Sequence, residues 1–456
     1  MSNPGEADAT PITSLRQLAD FIAVGSKPAD KWRIGTEHEK FRFRHSDLTM
    51  PAYEPRGIRA VLEGLAQYDA EPILDRGNPI GLKQGAASIS LEPAGQLELS
   101  GAAVETLHDT HNEMEEHFRQ VRAVSEPLDL GFAPLGFHPV NTREQMPWMP
   151  KGRYAIMRRY MPLVGTRGLD MMTRTCTVQV NLDYGTEDDM RRKLRLSLAL
   201  QPLATALFAN SPFLEGKPNG LQSGRAHAWL DTDNARSGIP EVMFDPGFDF
   251  LRYATWMVDA VPMYFVYRDG TYIDVAGASF RAFMEGKVPA LAGQTATMGD
   301  FADHMTTVFT DVRLKRFLEM RGADAGSPEM MVAQSALWVG LLYDDAATAA
   351  AEKLAARISW QDAVALRAAV PAQGLKAVVP SSGASLRDIG RDALAIARDG
   401  LRARARKNGA GQDETVYLDK LDAIIAGAPN QAEHWLSRFH GAWGGDVRPI
   451  FTEAAI

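Results

Sequence analysis

The stretch RIGTEHEKFRF, Arg33–Phe43, predicts a β-strand that carries two carboxylates on one face. Side chains alternate along a strand, so Glu37 and Glu39 share a face while His38 and Lys40 share the other. At about 3.4 Å of rise per residue, the two glutamates are about 6.8 Å apart at their Cα atoms. Their charges repel by about 2–3 kcal/mol at an effective dielectric constant of about 20. Water, a nearby arginine or a cation must offset that repulsion.

The whole chain has the composition of an ordinary globular protein. Its 456 residues are 45% hydrophobic and 23% charged, enough for one large domain or two or three smaller ones. No apolar run reaches the roughly 18 residues that a membrane span needs, and the N-terminus lacks the pattern of a secretory signal. The net charge of −8 argues against nucleic acid as the main partner. We therefore expect neither a membrane nor a nucleic acid partner.

The chain has one cysteine, Cys176. An intramolecular disulfide and a thiolate zinc cluster are both impossible, which favours a reducing compartment, and we expect a cytoplasmic protein. Cys176 falls on the apolar side of a predicted strand, so we expect a buried and inert thiol. His38 falls on the face opposite the two glutamates, and His108 and His111 lie on a predicted helix without a third metal ligand nearby in sequence, so we expect structural roles for all three.

Three regions of the chain differ in composition and in the periodicity of their apolar residues. Residues 1–30 predict a mobile tail of about a dozen residues and a short helix that opens at Ser14. Residues 31–326 mix strand and helix patterns and predict an α+β catalytic body. Residues 327–456 are alanine-rich with helical periodicity, and predict a helical C-terminal portion packed on the same domain.

Several segments of the body have patterns that bear on a site. Residues 87–100 predict two strands bent at Pro93, and residues 173–184 predict a strand with a wholly polar face. A helix is predicted from Glu187 to Asn210, and further strands at residues 225–232 and 263–268. Residues 144–168 have no clean periodicity, which is typical of a functional loop.

Acidic side chains in or beside these strands are candidate ligands for a hard cation such as Mg²⁺. They are Glu37, Glu39, Glu92, Glu98 and Glu319. Arg153, Arg225 and Arg321 could bind carboxylate or phosphate in bidentate fashion. Each glutamate could instead be solvated and each arginine could form a surface ion pair. The residues alone thus indicate a magnesium site with arginines, and hence phosphate chemistry, while hydrolase, P-loop and dinucleotide signatures are absent.

Four long runs extend this interpretation, because together they closely resemble glutamate–cysteine ligase of the plant and proteobacterial type. The runs are GLKQGAASISLEPAGQLELSGA (81–102), MPKGRYAIMRRYMPLVGTRGLDMMTRTCTVQVNLDY (149–184), LATALFANSPFLEGKPNG (203–220) and VRLKRFLEMRGADAG (312–326). The likeness extends from about Trp32 to Leu342 and weakens in the alanine-rich tail.

The resemblance implies an α+β fold in which a curved, glutamine-synthetase-like antiparallel sheet forms the active-site cradle, flanked by helices. It implies Mg²⁺ as cofactor and ATP, L-glutamate and L-cysteine as small-molecule substrates. ATP would phosphorylate the γ-carboxylate of glutamate, and the amine of cysteine would then displace phosphate, the first step of glutathione biosynthesis. A sister ligase using another amine, a metal-dependent phosphohydrolase and a non-catalytic relative remain alternatives.

The resemblance also implies roles for single residues. The five glutamates match the family's metal-binding carboxylates, and Arg153 and Arg225 match its glutamate-side arginines, Arg153 with a catalytic role as well. Arg321 is the other candidate catalytic residue, and Gln179, Asn181 and Lys83 are candidates for the nucleotide. Plant members carry paired cysteines that favour a dimer, which Cys176 alone cannot reproduce, so we expect a monomer or a weak homodimer.

Overall fold

The computed structural model describes residues 8–456. Of the predicted mobile tail, residues 1–7 lie outside the described part, while residues 8–12 are hydrogen-bonded to the segment 296–299. Ile12 N–H donates to Ala296 O at 2.9 Å, and Thr10 O accepts from Met298 N–H at 2.9 Å. Within residues 8–456, no helix combines the length and the apolar character needed to cross a membrane.

The strands of the described chain form one large sheet and three small ones. They are β1 (Ile34–Arg44), β2 (Ala70–Asp75), β3 (Asn78–Gln84), β4 (Ala87–Leu91), β5 (Leu97–Ser100), β6 (Leu130–Ala133), β7 (Thr177–Leu182), β8 (Phe213–Leu214), β9 (Lys217–Pro218), β10 (Ser237–Gly238), β11 (Phe265–Arg268), β12 (Thr271–Asp274), β13 (Phe309–Thr310), β14 (Val312–Leu314) and β15 (Leu318–Asp324).

The helices surround the sheet and continue to the end of the chain. They are α1 (Leu15–Ala23), α2 (Ile58–Leu65), α3 (Leu107–Ser125), α4 (Gly152–Val164), α5 (Gly168–Arg174), α6 (Glu187–Leu207), α7 (Gly224–Ala228), α8 (Phe250–Ala260), α9 (Phe280–Met284), α10 (Met298–Met305), α11 (Pro328–Leu342), α12 (Asp345–Ala355), α13 (Trp360–Gln373), α14 (Leu386–Arg404), α15 (Asp419–Ile425), α16 (Gln431–His440) and α17 (Ile450–Glu453).

The large sheet has nine strands in the order β14-β15-β7-β1-β5-β4-β3-β2, with β6 paired to the end of β1. Every pairing in it is antiparallel. Strand β1, which contains most of the stretch Arg33–Phe43, lies near the centre of this sheet. Glu37 lies between Gln179 of β7 and Ser100 of β5, and Glu39 lies opposite Glu98 of β5. The α+β prediction, with an antiparallel sheet flanked by helices, is confirmed.

Helices α3 and α11 cover the face of β1 opposite the glutamates. His38 packs edge-on against the rings of His117 and Phe118 at 5.5 and 5.2 Å. Thr36 shares a hydrogen bond with Ser335 of α11 at 2.8 Å. The prediction that His38 points away from the glutamate face is therefore confirmed. Because that face is filled with helices, the opposite face is the one left to bind a ligand.

The elements after Ser327 are helices, and α11 packs between the sheet and the helices that follow it. Met331 and Trp338 of α11 are buried in the same hydrophobic cluster as Val178 and Val180 of β7. Cys176 is fully buried in a separate cluster, and burial raises the pKa of its thiol well above the ordinary value. The prediction of a buried thiol is confirmed.

Three local predictions are wrong. Residues 225–232 form helix α7 and a following 3₁₀ turn instead of a strand, because the Ser223 hydroxyl caps the helix at Ala226 N–H. The predicted loop 144–168 contains α4, which buries Tyr154, Met157 and Met161 at helical spacing. The polar strand begins only at Thr177, since residues 168–174 form α5.

The two strands predicted within residues 87–100 are confirmed, and they form a hairpin. Strands β4 and β5 pair antiparallel across a turn that contains Glu92. Gly95 has φ of 79°, a left-handed conformation that glycine adopts without strain. The turn therefore places Glu92 beside Glu98 at one end of the sheet.

Candidate active site

A cavity of about 110 Å³ lies over the glutamate face of the sheet. It is lined by strands β1, β5 and β7, by helices α4, α5 and α7, and by the segment around β13. Most of the predicted residues line it, namely Glu37, Glu39, Glu92, Glu98, Arg153, Gln179, Arg225 and Arg321. Side chains predicted from distant segments thus converge on one cleft.

Lys83 does not line this cleft. It lies in the same row across the sheet as Glu37, through Ser88 and Ser100, but three strands away, or about 14 Å. Its side chain is exposed. The predicted role of Lys83 in holding the nucleotide is therefore not supported, because alternation placed it on the correct face at the wrong distance.

Glu37 is held by two amides from the neighbouring strand β7. Asn181 Nδ2 donates to its carboxylate at 2.8 Å, and Gln179 Nε2 donates at 3.2 Å. Gln179 Oε1 in turn accepts from Arg321. The two residues predicted to contact the nucleotide therefore orient Glu37 in this arrangement.

Glu39, Glu92 and Glu98 form the acidic end of the cleft. Glu39 accepts from Thr177 N–H at 2.9 Å, and Glu98 accepts from the Ser90 hydroxyl at 2.6 Å. Burial, and then the charges of Glu92 and Glu98, raise the pKa of Glu39 well above its ordinary value. Burial, and then the charges of Glu92 and Glu37, raise the pKa of Glu98 to about 7. These carboxylates repel one another, so a bound cation would stabilise them.

Glu319 lies beside arginines that line the cleft, in a cationic setting. Arg313 donates to it with two nitrogens, one at 2.9 Å, and Arg321 and Lys315 lie 3.2 and 3.6 Å from its oxygens. Burial alone would raise its pKa, but these three cations outweigh burial and hold the pKa well below the ordinary value. Glu319 is fully buried and does not line the cavity. This placement departs from its predicted role as a metal ligand, because its oxygens are already occupied.

The glutamate-side arginines approach the cleft from two short helical segments. Arg225, in the first turn of α7, donates from Nη2 to Arg321 O at 2.7 Å. Arg153 lies in the first turn of α4, with its guanidinium 5.3 Å from the centroid of the Phe265 ring. Both are almost fully buried.

Further residues line the cleft that sequence reasoning did not single out. Arg313 pairs with Glu319 across the β14–β15 hairpin, and that register was the signal that could have found it. Trp229 and Phe309 contact each other with ring centroids 5.8 Å apart. The remaining apolar wall consists of Met157, Met171, Met172 and Tyr154. Two of these methionines are adjacent in one of the runs quoted above, but nothing in their spacing indicates a cleft.

The acidic end suits Mg²⁺ as a partly formed site. In residues 8–456, no group of three or more acidic, histidine or cysteine side chains converges closely enough to hold an ion unaided. Mg²⁺ usually takes only one or two carboxylates and completes its six ligands with water and phosphate oxygens. Carboxylates are the donors it prefers, and at Glu39 and Glu98 burial and the neighbouring carboxylates raise the pKa, so a bound cation would relieve their repulsion. The residues therefore fit the ion if the substrates supply the rest.

Comparison with known proteins agrees with the resemblance to glutamate–cysteine ligases. A family model described as glutamate–cysteine ligase family 2 (GCS2) matches residues 33–453. The chain is 48% identical to chloroplastic glutamate–cysteine ligase B of Oryza sativa subsp. japonica, over 97% of this chain and 87% of the relative. It is also 48% identical to chloroplastic glutamate–cysteine ligase of Arabidopsis thaliana, over 98% of this chain and 83% of the relative.

A solved structure shares the fold. It is the glutamate–cysteine ligase of Francisella tularensis in complex with AMP, with a TM-score of 0.54 over 93% of this chain and 88% of that chain. At 12% identity this likeness shows the fold alone.

The relatives correct one prediction. The cytoplasmic location expected from the single cysteine is wrong by this comparison, because the curated relatives are chloroplastic proteins. Cysteine content does not identify a compartment.

Proposed function

The chain belongs to glutamate–cysteine ligase family 2, and we propose that the two charged ends of its cleft divide the work of that reaction. The activity is the ATP-dependent joining of the γ-carboxylate of L-glutamate to the amine of L-cysteine, which gives γ-glutamylcysteine in glutathione biosynthesis. ATP and the two amino acids are its small-molecule substrates.

The observation that supports the proposal is the separation of charge within one cavity. Three mutually repelling carboxylates lie at one end, and the cations around Glu319 lie at the other. Transfer of a phosphoryl group to a carboxylate brings two anions together, so cations on both sides of the transferred group are the main means of lowering the barrier. A cleft for this chemistry therefore needs both carboxylates that bind a metal ion and arginines that face the transferred group.

At the cationic end, Arg321 and Arg313 are the donors nearest to the cleft. Glu319 fixes both guanidinium groups, so they point at the transferred phosphate and the γ-carboxylate without reorganising. Preorganised donors of this kind are worth far more in a dry site than in water. Arg321 thus keeps the catalytic role expected for it, with Arg313 beside it.

At the opposite end, Glu39, Glu92 and Glu98 would hold Mg²⁺, with Glu37 oriented toward it by Gln179 and Asn181. When bound, Mg²⁺ would neutralise the phosphate oxygens of ATP. Arg153 and Arg225 would bind the carboxylates of L-glutamate, because planar guanidinium groups match that geometry. We propose that the protein works as a monomer or weak homodimer, without a nucleic acid or membrane partner.

One assay tests the reaction and its amine. The protein is incubated with ATP, Mg²⁺ and L-glutamate, with and without L-cysteine, and ADP release is followed together with the mass of the product. We expect ADP and γ-glutamylcysteine in equal amounts, and little ADP without cysteine. ADP released at the same rate without any amine would indicate a phosphohydrolase. An adduct formed only with another amine would indicate a sister ligase.

A variant tests the role of the acidic residues. We expect Glu37→Gln to lower kcat by about 10²–10³, as removal of an electrostatic group from an active site commonly does, with an unchanged circular dichroism spectrum. The matched control is Glu113→Gln, which alters a half-buried glutamate on the helical side of the sheet. Near-normal turnover of Glu37→Gln would contradict the assignment.

A further inference from the structure

Asp324, the last residue of β15, is a buried carboxylate that no part of the proposed mechanism uses. Its side chain is fully buried and accepts three hydrogen bonds, all from uncharged donors. Asn210 N–H and the Ser211 hydroxyl donate to Oδ2 at 2.8 and 2.6 Å, and the Ser223 hydroxyl donates to Oδ1 at 2.8 Å. A methyl group added at Gly136 would come within 2.4 Å of its Cγ atom, so the carboxylate is closely confined.

The two serines bound to Asp324 hold the segment that carries Arg225. Ser211 Oγ accepts from the backbone N–H of Arg225 at 3.2 Å. Ser223 is the N-cap of α7, and its Oγ accepts from Ala226 N–H at 3.0 Å. Because each hydroxyl donates its only hydrogen to Asp324, its lone pairs are left to accept from the helix. Asp324 therefore sets the orientation of both caps.

The guanidinium of Arg225 meets the same strand at two points. Nη2 donates to Arg321 O at 2.7 Å, and Nη1 lies 3.9 Å from Asp324 Oδ1. Burial lowers the pKa of Arg225, and among the nearby charges Asp324 does most to raise it. Strand β15 thus supplies both a carbonyl contact and the countercharge for an arginine that faces the cleft.

We infer that Asp324 is the positioning residue of Arg225, holding its backbone through Ser211 and Ser223 and its guanidinium through charge, so that Arg225 is ready to bind the substrate carboxylate. This inference rests on the glutamate-side role proposed above for Arg225. Asp324 itself does not line the cavity, so it acts only through the arginine.

The test is Asp324→Asn, which keeps the size of the side chain and removes its charge. We expect the KM for L-glutamate to rise about tenfold or more, while the KM for ATP stays within about twofold. A general loss of structure would not separate the two substrates in this way. The matched control is Asp362→Asn, because Asp362 is also buried and accepts from the hydroxyls of Ser359 and Ser381 at 2.7 Å, but it does not line the cleft. That variant should leave both KM values unchanged.

A double-mutant cycle with Arg225→Lys tests whether Asp324 acts through Arg225. Coupled residues are not additive, so adding Asp324→Asn to Arg225→Lys should raise the glutamate KM by less than about threefold. If Asp324→Asn does not fold, Ser223→Ala removes one of the bridging hydroxyls at less risk. It should raise the same KM about threefold to tenfold, again with little effect of the alanine in the Arg225→Lys background.

Three results would overturn the inference in different ways. A folded Asp324→Asn enzyme with a glutamate KM within about twofold of the parent, beside an impaired Arg225→Lys enzyme, would remove the role of Asp324 alone. An Arg225→Lys enzyme with unchanged glutamate KM would remove the substrate role of Arg225, and the inference with it. Additive effects in the cycle would show that Asp324 acts on something other than Arg225.

Discussion

Glu39 and Glu319 are two buried glutamates of the same sheet, one lining the cleft and the other beside arginines that line it. Glu319 is surrounded by two arginines and a lysine, and its pKa is held well below the ordinary value in spite of burial. Glu39 lies beside two other carboxylates, and burial and their charges raise its pKa well above that value. Glu319 is thus compensated within the protein, whereas at Glu39 burial and the neighbouring carboxylates outweigh the charge of Arg225.

The difference indicates what each end does. A paired buried carboxylate is a fixed part of the scaffold, and breaking its pair leaves uncompensated charges behind. Repelling carboxylates lower the stability of the fold, and such groups persist where function requires them. The comparison therefore separates Glu319, which holds arginines in place, from Glu39 and Glu98, whose repulsion a bound cation would relieve.

The largest effect on stability is expected from the substitution of Glu319. Glu319→Gln leaves Arg313 and Arg321 without their shared carboxylate, so the free energy of unfolding should fall by about 3–5 kcal/mol, measured by urea denaturation. Glu352→Gln is the control. Its half-exposed pair with Arg192 should contribute about 1 kcal/mol or less. If the two variants lose similar stability, Glu319 is not the organising residue of that end.

The next effect is expected at Glu39. Glu39→Gln should lower kcat by about 10²–10³ and leave the melting temperature equal or higher, because the change removes repulsion at the acidic end. Thr177 N–H can still donate to the amide oxygen. Calorimetry that shows a higher melting temperature for the Glu39 variant and a lower one for the Glu319 variant would sharpen the comparison. A Glu39→Gln protein that melts well below the parent would break it.

The smallest expected effect is the change in stability with pH and with Mg²⁺. Because the folded pKa of Glu98 is raised to about 7 from 4.5, its protonated form favours folding, and that stability is lost as pH rises from about 4.5 through 7. Between pH 6 and pH 8 the loss from this group is about 1 kcal/mol.

Mg²⁺ should reverse that loss. We expect it to raise the melting temperature more at pH 8 than at pH 6, relative to the same protein in EDTA, because only the ionised carboxylates bind it well. Glu98→Gln is the control and should reduce the difference between the two pH values. An equal effect of Mg²⁺ at both pH values would place the ion elsewhere.

Local patterns predicted much of the site. Alternation along β1 put Glu37 and Glu39 on the face that lines the cleft and His38 on the opposite face, and the proline and glycine of residues 93–95 marked the bend between β4 and β5. These predictions succeeded because strand alternation and turn chemistry act over a few residues. The substrates, in contrast, came from the resemblance of long runs and not from spacing.

Contacts between distant segments could not be predicted in this way. The hydrogen bond from Asn181 to Glu37 depends on β1 and β7 being neighbours. For Lys83, alternation gave the face of the side chain but not its distance across the sheet. Helix α7 was missed because a single capping serine outweighed an apparent alternation.

The buried state of Cys176 has a practical consequence for labelling chemistry. It is the chain's only cysteine, it is 0% exposed, and its raised pKa keeps the nucleophilic thiolate scarce at neutral pH. A cysteine introduced at Leu163, which is 71% exposed, would thus take a maleimide dye or spin label alone. The native sequence already provides a background for single-site labelling, without any prior removal of thiols.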